Sequence, residues 1–236
     1  MKQRIRTILV VIFALALFGG AMAAPFEDGK AAYQSGDYET ALRLWRPLAD
    51  QGNAEAQAGL GWMYFHGQGV AQDYAQAVSW YRKAADQGHV VAQANLGLMH
   101  EHGQGVAQDY AQAAAWYRKA ADQGYADAQY NLGVAYEHGQ GVPKDDARAA
   151  AWLRKAADQG DAFAQENLGS MYANGHGVTQ DYAQAHVWFS LSASRAPYVA
   201  LRDLALEGRA EVAVKMKPAQ RAEAQRLERE WKPTTP

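Results

Sequence analysis

The sequence predicts an all-α fold, an α/α superhelical solenoid of stacked antiparallel helix pairs, and three observations predict it. Gly61, Gly97, Gly133 and Gly169 fall 36 residues apart, each directly after a leucine (Leu60, Leu96, Leu132, Leu168). Nineteen residues after each glycine comes a tryptophan: Trp80, Trp116, Trp152 and Trp188. Each period also holds two stretches of helical composition, separated by a Gly-x-Gly loop and an Asp. A fixed period of this size marks units that bury their apolar faces only against their neighbours. The chain accordingly divides into residues 1–23, an N-terminal hairpin (24–52), four repeats (53–88, 89–124, 125–160, 161–196) and a C-terminal segment (197–236).

Residues 1–23 read as an export signal. Lys2, Arg4 and Arg6 form a basic start, Ile8 to Phe18 an apolar run, and Ala21-Met22-Ala23 a small-x-small cleavage pattern. Eleven apolar residues at ~1.5 Å each span about half of a ~30 Å hydrocarbon core, so cleavage before Ala24 is expected rather than a membrane anchor. The absence of an adjacent arginine pair points to the general secretory route. The N-terminal hairpin follows, its helices meeting at Ser35-Gly36. Asp37, Tyr38, Ala41, Trp45 and Gly52 stand 36 residues before Asp73, Tyr74, Ala77, Tyr81 and Gly88.

In the first repeat, Ala54 to His66 is the expected first helix. Gly67 suits its left-handed terminus, and Gly69 permits the reversal that follows, with Val70 under the turn. Asp73 then caps a second helix, and Gln76 three residues on completes a capping-box pattern. The pattern recurs at Asp109/Gln112 and Asp181/Gln184, while Asp145 has Arg148 in place of Gln. The second helix runs to about Gln87 and closes at Gly88, as later ones do at Gly124 and Gly160. Helices this short are marginal alone, so stacking must stabilise them. Tyr74, Ala77, Tyr81 and Ala84 form the apolar stripe, Trp80 covers the seam between units, and Gly61 lets another helix approach closely. After Trp188 the match fades. A helix from about Tyr198 to Val214 and a last one from Pro218 to near Trp231 cap the stack, and 232–236 is expected to be a disordered tail.

Composition narrows the function classes. The chain has no cysteine, which excludes disulfides and thiolate metal sites. Removing the signal leaves 20 basic against 25 acidic residues, a net charge of −5. A mildly acidic surface argues against nucleic acid and anionic membrane. No other long apolar stretch follows residue 23, so no stable membrane insertion is expected.

The recurring residues are best displayed at 92–125: Ala92-Gln93, Leu96-Gly97, Met99, Gly103, Gly105-Val106, Asp109, Ala113 and Trp116-Tyr117-Arg118-Lys119-Ala120-Ala121. This pattern resembles the Sel-1-like repeat, a relative of the tetratricopeptide repeats, and four units covering residues 53 to 194 match it. The resemblance implies an α/α solenoid in protein–protein interaction and scaffold roles, with bacterial members often exported to act in envelope assembly, signalling or host contact. Cysteine-rich exported relatives are associated with penicillin-binding or β-lactamase-like activity; this chain lacks those cysteines.

No residue set points to catalysis, a cofactor or a metal. His66, His102 and His138 fall one per repeat, about a helix diameter of ~10 Å apart, whereas zinc needs ligands converging at ~2.0–2.1 Å. They read instead as polar residues at the end of the first helix, where the negative end of the dipole favours cations. Ser-x-x-Lys and Gly-x-Ser-x-Gly are absent, and Gly-Gln-Gly-Val lacks the Lys and Ser/Thr of a phosphate loop.

The positions that vary between repeats are more informative. On the first helix they are spaced by three and four residues and share one face, which in stacked hairpins lines a groove. One register reads Trp62, Leu98, Val134, Ser170; a second Phe65, Glu101, Glu137, Ala173; a third Ala58, Ala94, Tyr130, Glu166, with Asp127 nearby. The groove is therefore expected to be aromatic at its N-terminal end and acidic in the middle, suiting a Lys/Arg- and aromatic-bearing segment of another protein. Trp62 and Phe65 either anchor that partner or pack on the N-terminal hairpin. The sequence thus predicts a non-catalytic adaptor of the bacterial cell envelope, periplasmic or secreted, without cofactors. The alternatives are an envelope enzyme acting on β-lactams or peptidoglycan, and a glycan-binding module using Trp62, Phe65 and Tyr130.

Overall fold

The structure, a computed structural model, describes residues 24–234; the predicted export signal lies outside the described residues. These residues form twelve helices and no strand. They are α1 (24–34), α2 (Tyr38–Asp50), α3 (Ala54–His66), α4 (Tyr74–Asp86), α5 (Val90–His102) and α6 (Tyr110–Asp122). There follow α7 (Ala126–His138), α8 (Asp146–Asp158), α9 (Ala162–Asn174), α10 (Tyr182–Arg195), α11 (Val199–Lys215) and α12 (Pro218–Glu230). Among the described residues no helix is long and apolar enough to cross a membrane. Two compact units divide the chain within α5: the first takes the described residues up to Leu96 with Gln104–Ala107, the second Gly97–Gly103 and Gln108 onward. Each is built as an α/α solenoid segment.

In the first unit the N-terminal hairpin supplies much of the core. Trp45 is buried, stacked against Phe26 and Tyr33 at ring centroid distances of 5.8 and 5.6 Å, and its indole N–H donates to the Phe26 carbonyl at 3.2 Å. Trp80 takes the expected seam position among Ala41, Leu48, Leu60 and Met63. The Lys83 ammonium lies 3.8 Å from its ring centroid and the Arg46 guanidinium carbon 5.5 Å from it, so two cations lie against the indole. The same pairing recurs in the second unit at Lys119/Trp116 and Lys155/Trp152.

The second unit packs α6 to α10 in sequence, with α11 against α9 and α10 and α12 against α10. The repeated glycine of each first helix lies directly under a side chain of the second helix, and at Gly133 a Cβ would also stand 3.2 Å from the Leu153 backbone nitrogen, so the expected close approach of another helix is seen. A Cβ at Gly97, Gly133 or Gly169 would come within 2.4, 2.7 and 2.8 Å of Tyr117, Leu153 and Phe189. Pro218 occupies the first turn of α12 as predicted. The tail differs from expectation through Thr234, whose backbone N–H donates to the Asp158 carbonyl at 2.7 Å. A carbonyl in the last turn of α8 has no partner within its own helix, and the tail satisfies it.

The caps also depart from the predicted pattern in one respect. Asp109 accepts from the backbone N–H groups of Ala111 (2.9 Å) and Gln112 (3.0 Å), but its own N–H donates to the His100 carbonyl at 2.9 Å. Asp73, Asp145 and Asp181 are tied in the same way to Tyr64, Tyr136 and Tyr172. The residue three positions on is left no free cap N–H to accept from, and Arg148 instead pairs with the Asp145 carboxylate, Nε to Oδ2 at 3.1 Å. Asp109→Ala is therefore expected to lower stability by about 1 kcal/mol, and Gln112→Ala by a few tenths at most, since it sits exposed on the surface. Parallel urea melts of the two variants check this.

Candidate interaction surface

Four buried glutamines tie the first helix of a repeat to the helix before it. The side-chain amides of Gln57, Gln93, Gln129 and Gln165 donate to the carbonyls of Ala49, Ala85, Ala121 and Ala157, at 2.9 to 3.2 Å. Each joins a first helix to the second helix before it, fixing the rotation that decides which residues reach the surface. Sequence reasoning placed these glutamines in the repeat without assigning them this work.

In the first unit, Trp62 is 41% exposed and Phe65 half-buried. The Trp62 indole N–H donates to the Tyr33 hydroxyl at 2.6 Å, and its ring lies 4.0 Å from that of His66. Phe65 packs on Tyr74 at 5.2 Å. Both residues are thus held by their own unit, Trp62 by the N-terminal hairpin, while a face of Trp62 stays open. It borders a cavity of about 280 Å³ shared with Phe26, Trp45, Tyr81 and Val91.

In the second unit, Leu98 is 37% exposed and Val134 half-buried beside Glu101 and Tyr117. Here the structure corrects one expectation. Glu101 is not a free carboxylate: the Tyr117 hydroxyl donates to its Oε2 at 2.5 Å. Burial and this bond together push the Tyr117 hydroxyl above its ordinary range. The remaining acidic positions do converge. Tyr130 lies 6.0 Å from Phe163, and its hydroxyl is raised by burial and by the charges of Asp161, Glu166 and Glu137. The Glu166 carboxyl is pushed up by burial and then by Glu137. Asp161 is pushed up chiefly by burial, with Asp127 adding to it, although it accepts the Ala164 N–H at 2.6 Å. These residues make α7 and α9 one acidic, part-aromatic face whose charges repel each other.

Phe163 and Asp161 were not singled out in the sequence. Phe163 shares its register with Asp127, so the same comparison between repeats could have found it; Asp161 reads there as an ordinary helix cap. His66, His102 and His138 end α3, α5 and α7 and are exposed. Among the described residues no group of three or more His, Cys, Asp or Glu is placed to hold a metal ion.

Residues 22–53, 54–89, 90–125, 126–161 and 162–196 match the Sel1 repeat family model, so the N-terminal hairpin matches as a unit of its own. Among solved structures, a protective antigen of uropathogenic Escherichia coli strains displaying an SLR fold is 36% identical, with a TM-score of 0.80 over 94% of this chain. The match covers 47% of that protein, so the chain spans about half its length. A Sel1 repeat protein from Oxalobacter formigenes is 32% identical, with a TM-score of 0.69 over 82% of this chain and 86% of its own. No curated protein matches.

Proposed function

The chain belongs to the Sel1 repeat family, whose members generally act as protein-interaction scaffolds, and from that premise we propose a non-catalytic adaptor of the bacterial cell envelope. Its partner presents a Lys/Arg- and aromatic-bearing segment to the α7–α9 face. The observation that carries this reading is the electrostatics of Asp127, Tyr130, Glu137, Asp161 and Glu166. Burial and mutual repulsion hold Tyr130, Asp161 and Glu166 away from their ordinary ionisation. A cationic segment relieves that repulsion, and rings of Tyr130 and Phe163 offer it an apolar contact. The export signal read at 1–23 supports the envelope setting.

Photo-crosslinking in cells tests it, with the probe at position 134 or 98 and a control probe at 82 on α4. A discrete adduct at 134, absent at 82 and lost in the Glu137→Lys/Glu166→Lys variant, is the expected result. Equal background at both positions would sink the reading. A second reading attaches to the open face of Trp62 and its aromatic-lined cavity, which fits a stacked sugar ring. Calorimetric titration with cell-wall fragments, repeated on Trp62→Ala, separates it from peptide binding.

A further inference from the structure

The C-terminal end of the second unit holds a cavity that the repeat pattern does not encode. It measures about 350 Å³ and is closed by α11 packing across α9 and α10. Its apolar lining comes from Phe189 and Val212, both buried, and from Leu204, which stays 50% exposed at the rim. Its charged lining comes from Glu166 of α9 and Glu207 and Glu211 of α11. None of these three carboxylates makes an ion pair or hydrogen bond among the described residues. The one cation on the rim, Lys215, lies 5.7 Å from the Tyr182 ring centroid.

The shape depends on Gly208. A Cβ there would stand 2.7 Å from the Phe189 ring, so the bare backbone lets α11 close down and leaves the cavity its apolar floor. Along α11, Leu204, Glu207, Glu211 and Val214 are spaced by three and four residues and share a face. Val214 is 79% exposed, so two uncovered apolar side chains bracket the two glutamates. An apolar floor under carboxylate walls suits a side chain with an apolar stem and a positive head. A neutral or anionic occupant would leave the carboxylates at the mouth without a cation to meet, and an anion would be repelled by them.

We infer that this cavity receives a lysine or arginine side chain of the partner segment, its methylenes on Phe189 and Leu204 and its head among Glu166, Glu207 and Glu211. The inference rests on the adaptor reading and names the residue by which the segment is anchored. Leu204 and Val214 meet apolar residues flanking that cation.

The test is NMR titration of the ¹⁵N-labelled chain with acetyl-Leu-Lys-Leu-amide and with its Nε-acetyl-lysine counterpart. Amides of Ser170 and Gly208 report the cavity, and those of Tyr130 and Val134 report the α7–α9 face. Saturable shifts at Ser170 and Gly208 are expected, at least tenfold weaker for the acetylated peptide and for Glu207→Gln/Glu211→Gln. Both glutamates are exposed, so the double variant keeps its fold. Shifts that survive acetylation or the double variant overturn the inference. Shifts at Tyr130 and Val134 alone overturn it while leaving the adaptor reading intact. Silence at all four positions overturns it as well, and the adaptor reading then stands or falls on the crosslinking result.

Discussion

Gly141→Ala is expected to destabilise the second unit by about 2–5 kcal/mol, more than Gly160→Ala in the same unit. Both glycines have positive φ, +71° and +97°. A side chain in that region costs about 1–2 kcal/mol by itself. At Gly160 that is nearly the whole effect, because the nearest atom to a new Cβ would be Arg195 Nε at an ordinary 3.7 Å. At Gly141 the new Cβ would fall 2.0 Å from the Tyr110 carbonyl oxygen and 2.2 Å from its carbon. Those are backbone atoms at the first turn of α6 and cannot swing aside, so the loop must lift and break the packing around it, adding roughly 1–3 kcal/mol. Gly177 stands in the same relation to Asp146, again at 2.0 Å. Urea denaturation followed by circular dichroism separates the cases. Equal losses at the two sites would mean that only φ matters and that the loop's seat on α6 contributes nothing.

This second glycine of each Gly-x-Gly loop shows where sequence reading stops. The need for a reversal is visible in the local string, and so are the left-handed terminus at Gly67 and the Asp caps. That the loop lands on the backbone of the preceding repeat is a long-range fact that no local string encodes. The buried glutamines are similar: hydropathy does not separate an exposed Gln from one bonded to a carbonyl eight residues back. The surface had a subtler obstacle. Glu101 and Glu137 occupy equivalent positions, yet one is bound and the other is not. The difference lies sixteen residues on, where Tyr117 has a hydroxyl and Leu153 has none. Comparing repeats one register at a time hides such pairs; comparing registers jointly would have shown that Glu137 lacks the hydroxyl partner that Glu101 has. The cavity under α11 was out of reach because its walls come from a helix outside the period.

Glu166→Gln is expected to stabilise the fold near neutral pH while weakening partner binding. Burial and the Glu137 charge raise the Glu166 carboxyl above its reference value of 4.5. Between the unfolded value, about 4.3, and that raised value, the native state binds more protons than the unfolded chain. Stability therefore falls as pH rises through this window and stays reduced above it. Gln carries no charge, so the variant gains at pH 7, by about 0.5–2 kcal/mol if it behaves like other surface-charge optimisations, and gains almost nothing at pH 4. A wild-type chain at pH 4 already has the proton that the amide mimics. Denaturation at the two pH values reads the difference directly; a variant that is less stable at both would show that the carboxylate serves packing. The crosslink at position 134 provides the other half. If Glu166 is retained to meet a cation, the more stable protein captures less partner, because the repulsion that strains the free face is what a basic segment relieves on binding. Stability gained together with undiminished capture would instead place the contact elsewhere on the α7–α9 face, with Glu137 and Asp127 the next residues to neutralise.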